Sequence, residues 1–96
     1  MIPKNITPTT EKLPFGHMSS GENLFTVQDG IPIQTALEHS SVMMGCASSL
    51  IAETDNADPQ RLRSLTWASL HFVEMSKALI EASIDGLVGF GAEHSE

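Results

Sequence analysis

The chain has 96 residues, five basic and twelve acidic side chains, a net charge of −7 and one cysteine. That length allows one domain, and a lone Cys46 rules out an intrachain disulfide and fits a reducing, cytoplasmic setting. Nucleic-acid binding is excluded, because Arg61, Arg63 and Lys77 are too few and too dispersed to neutralise a phosphate backbone.

Residues 1–21 read as a flexible tail. Pro3, Pro8 and Pro14 interrupt them, and threonine, serine and glycine fill the remainder. Met1-Ile2-Pro3-Lys4 leads into polar residues rather than an apolar stretch, so no signal peptide is expected. No run approaches the roughly 18 apolar residues of a membrane span. Asn23-Leu24-Phe25-Thr26-Val27 is the one β-prone run, closed by the turn signal Asp29-Gly30. With no second strand in view, it is expected either to pair with its copy in another subunit or to lie on the helices as an extended segment.

A first helix is expected over about 32–54. Pro32 suits the first helical position, and small or apolar residues recur at Ile33, Ala36, Leu37, Ser40, Met43, Met44, Ala47, Leu50 and Ile51. Gly45 within it suggests a tight helix crossing. A loop follows, and then Asp58-Pro59 makes an N-cap and first-turn pair that starts a second helix running to about 86. Residues 89–96 are read as a flexible C-terminal tail, which leaves 22–88 as the folded unit. The fold class is therefore mostly α: an antiparallel two-helix hairpin preceded by a short extended or β segment at 23–27.

The second helix has two apolar stripes. One holds Leu65, Ala68, Phe72, Met75, Leu79 and Ala82, and the other Leu62, Leu70, Val73, Ile80, Ile84 and Leu87. A helix packed on one partner needs an apolar face only about 100° wide. The first helix covers one stripe, and the other is left for a partner. The expected cover is a second copy, giving a homodimeric four-helix bundle. The interface expected is Phe25, Leu62, Trp67, Leu70, Val73, Ile80, Ile84 and Leu87.

A set of short blocks stands out: Leu24-Phe25-Thr26-Val27, Gly30-Ile31-Pro32, Ala36-Leu37-Glu38, Trp67-Ala68, Phe72, and Glu74-Met75-Ser76-Lys77-Ala78-Leu79. In these the chain resembles a family of small pseudomonad proteins that carry a domain of unknown function. The likeness spans about residues 24–84. It implies a bacterial cytoplasmic protein and brings no activity and no catalytic residue with it.

No catalytic, cofactor or metal signature stands out. His71 and Glu74 share a helix face at i, i+3, but di-metal bundles use the reverse order with further glutamates. His39 and Cys46 lie two turns apart, about 10 Å along the axis at 1.5 Å per residue, too far for a nucleophile and its base. Cys46 reads as a small buried hydrophobe. Met43, Met44 and Met75 suit core packing or an adaptable groove. The function expected is a non-enzymatic protein-interaction or regulatory module with no cofactor, no nucleic acid and no membrane. The alternative is a small-molecule or metal-binding bundle lined by His39, Cys46, His71 and Glu74.

Overall fold

The computed structural model describes residues 7–94. Its elements are β1 (Leu13–His17), β2 (Asn23–Val27), α1 (Ile33–Ala52) and α2 (Pro59–His94). The ends of the expected tails, residues 1–6 and 95–96, lie outside the described residues.

The mostly helical hairpin expected from the sequence is present, and the first correction concerns the strand. β2 has a partner within its own chain, a strand inside the stretch read as an N-terminal tail. β1 and β2 pair antiparallel, with Leu13 opposite Val27 and Phe15 opposite Phe25. Pro14 and Gly16 hide β1 in the sequence, because both count against a strand. In a two-stranded sheet each strand is an edge, so Pro14 loses no essential ladder bond. Gly16 sits at φ +73°, and a Cβ there would come within 3.1 Å of the Phe25 ring. The strands turn through Met18–Glu22, where the Met18 N–H donates to the Glu22 carbonyl and the Gly21 N–H to the Met18 carbonyl.

Leu13, Phe15 and Val27 share one face of this sheet. They pack on Ala78, Leu79 and Ala82 of α2 in a small apolar core.

Before β1, residues 8–11 form a strap that ties the molecule together. Thr10 is buried. Its hydroxyl donates to the Gln28 carbonyl and accepts from the Ile31 N–H. Its backbone N–H donates to the Ile31 carbonyl, and its carbonyl accepts from Gly30. The Pro8 carbonyl accepts from the N–H of Ile33, the first residue of α1. That bond substitutes for the side-chain cap that Pro32 cannot supply. The Glu11 N–H then reaches the Ala82 carbonyl on α2.

α1 and α2 pack antiparallel through small residues. Ala36, Ser40 and Ala47 of α1 are buried, as are Leu65, Ser69, Ser76, Ala82 and Ser83 of α2. The Ser40 and Ser76 hydroxyls lie 2.6 Å apart. One hydroxyl donates to the other, and each is also within reach of the other residue's backbone carbonyl, at 3.3 and 3.1 Å. Buried serines on helices need such partners, and here they bind one helix to the other. The close approach expected at Gly45 is not there, since nothing lies within 4 Å of a Cβ built on it. The tight contact is at Gly86, where a Cβ would collide with the Thr9 carbonyl of the strap.

α2 also runs further than expected. It passes Gly86 and Gly89 without a break and ends at His94, covering most of the stretch read as a C-terminal tail. Counting antiparallel from the Ser40–Ser76 contact places Ile33 level with Ser83. The last three turns of α2 therefore extend beyond the start of α1, and the molecule measures 58 Å along its longest axis.

Candidate interaction surface

Because small residues fill the α1–α2 contact, most large apolar side chains lie outside it. The inward stripe behaves as its pattern implies: Leu65 and Ala82 are buried, and Ala68, Phe72, Met75 and Leu79 are half-buried. The second stripe is open. Leu62, Ile80 and Leu87 are exposed, Leu70 is 55% and Ile84 52% exposed, and Val73 is half-buried.

α1 adds to the same side of the molecule. Leu37, Met44 and Ile51 are exposed and recur every seven residues, so they line one side of the helix. The β-hairpin identifies which side. It packs on Ala78, Leu79 and Ala82 of α2 and borders a cleft that Met43 of α1 and Met75 of α2 also line, and helix periodicity puts both open stripes on the opposite side. One face of the helix pair thus carries the hairpin, and the other carries two bare apolar rows. Leu37, Met44 and Ile51 were absorbed into the expected core of α1. Their spacing of seven was the available signal that they form a separate row.

The remaining expected interface residues lie elsewhere. Phe25 stacks on Phe15 with ring centroids 5.3 Å apart and meets the edge of His71 at 6.2 Å. Trp67, 66% exposed, lies 4.2 Å from His71 on its other side. These four rings form an aromatic strip beside the hairpin, separate from the bare rows.

The polar residues considered for a ligand site do not converge. His39 is exposed, and Cys46 lines a shallow groove with Val42, Leu50 and Phe72. His71 is held between Phe25 and Trp67, while Glu74 edges a hollow with His17 and Lys77. Among the described residues, no group of three histidine, cysteine, aspartate or glutamate side chains is placed to hold a metal ion. Two of the three methionines do meet. Met43 and Met75 line a cleft of about 190 Å³ with Phe15, Val27 and Ile31, while Met44 faces the other side.

Among the described residues, no helix is long and apolar enough to cross a membrane. The arrangement defines a class: a small α-hairpin domain with a strapped β-hairpin on one face and an unpartnered apolar surface on the other. The chain belongs to the family described as a protein of unknown function, DUF3077, whose model matches residues 9–86. The matched stretch begins at Thr9 and ends at Gly86, the two residues in close contact between strap and α2. No curated protein and no solved structure matches the chain.

Proposed function

We propose that this protein acts by association: a non-enzymatic interaction or regulatory module that works as a homodimeric helical bundle. The observation that carries this reading is the bare face of the helix pair. Three apolar residues of α1 and five or more of α2 are left in solvent on this face, while among the described residues the large apolar side chains that are buried are Val27, Ile33 and Leu65. Apolar side chains left in water gain free energy when a partner covers them. Contiguous exposed apolar surface usually marks where that partner binds.

The test is light scattering across a dilution series. The expected mass is twice 10.3 kDa at micromolar concentration, reverting to one chain in an Ile84→Asp variant that keeps its helical circular dichroism. A wild-type protein that stays monomeric at every concentration would rule the homodimer out. The small-molecule reading has less support. The polar residues expected to line its site lie apart, with Cys46 on one groove and Glu74 on another.

A further inference from the structure

Resting on the homodimer reading, we propose that the second copy lies with its α2 antiparallel on α2 of the first, about a two-fold axis level with Ala78 and Leu79. Three observations point to this arrangement.

The first is area. The chain exposes 7009 Å², where a compact protein of 10.3 kDa would expose about 5,400 Å². The difference, spread over an elongated molecule, is roughly twice the ~800 Å² per partner that a standard interface covers, so the chain carries surplus surface enough for a second copy.

The second is the length of the apolar row. On α1 it ends at Leu37, but on α2 it continues through Ile84, Leu87 and Val88, past the level where α1 begins. An α1 helix from a second copy, 20 residues long, is too short to cover the whole row from Leu62 to Val88. A second α2 running the opposite way is long enough. Under the proposed axis Leu87 opposes Leu70 of the second copy, and Ile84 opposes its Val73. The row Leu70, Val73, Lys77, Ile80, Ile84, Leu87 has the alternating three- and four-residue spacing of a helix–helix seam, and that spacing reads the same in both directions.

The third is Lys77, the one charged residue in that row. Parallel pairing would put both Lys77 ammonium groups in one layer, where like charges repel. Antiparallel pairing opposes each Lys77 to Ile80 of the second copy and sets it beside that copy's Glu81. In the single chain Lys77 pairs with its own Glu81 at 3.9 Å, with its side chain 74% exposed, and it borders the hollow beside β1. Antiparallel helices also oppose their dipoles favourably.

Spin labels distinguish the arrangements. Ser64→Cys and Asp85→Cys, each made in a Cys46→Ser chain, place a nitroxide on exposed positions outside the row. Double electron–electron resonance should give about 45 Å between the two Ser64 sites and about 20 Å between the two Asp85 sites, from 1.5 Å of rise per residue about the proposed axis. A dimer with short distances of about 10–25 Å at both sites has parallel α2 helices lying side by side or diagonally. That result would keep the bundle and overturn this seam. A monomer by light scattering would overturn the bundle itself. If Cys46→Ser disturbs the circular dichroism, Cys46→Ala serves as the background, since Cys46 is only half-buried.

Discussion

A methyl group at Gly86 has nowhere to go. In a helix interior, glycine to alanine normally stabilises by about 1 kcal/mol, because alanine has less backbone freedom to lose. At Gly86 the added carbon meets the Thr9 carbonyl, which the strap fixes in place. Gly86→Ala is therefore expected to destabilise by roughly 1–3 kcal/mol, the usual cost of overpacking. Gly45→Ala, with nothing within 4 Å, should stabilise by about 0.5–1 kcal/mol. Urea denaturation of the two variants gives opposite signs if the strap lies where described. Equal signs would mean that residues 8–11 are not seated on α2 in solution. Thr10 offers a second probe of the strap. Thr10→Val keeps the shape and removes the hydroxyl that bonds Gln28 and Ile31. The expected loss is about 1–3 kcal/mol, with faster hydrogen exchange at the Ile31 amide. An unchanged exchange rate at Ile31 would count against the bond. None of this was legible in the sequence. A buried threonine and a contact glycine look like the loop residues and helix weakeners that surround them, because their partners lie more than 17 positions away in the chain.

The helices were legible, and the reason is local. Asp58 accepts from the Arg61 N–H at 2.8 Å, the N-cap bond implied by Asp-Pro at a helix start. Asp58→Ala should then cost about 0.5–2 kcal/mol, measurable as a lower denaturation midpoint, and Asp58→Asn should recover most of it. If both variants cost the same, the helix start depends on charge rather than on the cap. The neighbouring Arg61–Glu53 bridge, at 2.8 Å with both side chains more than half exposed, adds little by comparison. The division of α2 into an inward and an open stripe was equally readable, since it depends on a period of 3.6. Two kinds of element were not. β1 carries a proline and a glycine in five residues, so its identity comes from pairing with β2 rather than from propensity. The end of α2 was placed too early at Gly86, because the glycine there serves the strap and is not a stop signal. The candidate surface was half legible for a related reason. The α2 row is legible as surplus to one partner, while the place of Phe25 is not, because a sequence cannot show the hairpin carrying it to His71; Trp67 meets His71 through the i, i+4 spacing of α2 itself.

For the whole molecule, shape and charge lead to opposite expectations for association. The radius of gyration is 16.8 Å, against about 12.5 Å for a compact chain of this length, and the elongated helix pair leaves apolar rows of α1 and α2 exposed. Burying them favours association. Each copy also carries −7, so two copies repel one another across the whole assembly. The two effects respond differently to salt. Added sodium chloride screens the repulsion over a Debye length that falls from about 30 Å at 0.01 M to about 3 Å at 1 M, and it leaves the apolar contact intact. The dimer is therefore expected to tighten as salt rises, with a dissociation constant several-fold lower at high salt than at low, read by sedimentation equilibrium. The Lys77–Glu81 pairs act in the reverse direction, but they are few against a product of two net charges of −7. A dimer that loosens with salt would show that ion pairs between the copies outweigh both the repulsion and the apolar rows, and the partner-facing surface would then have to be sought on the charged side of α2.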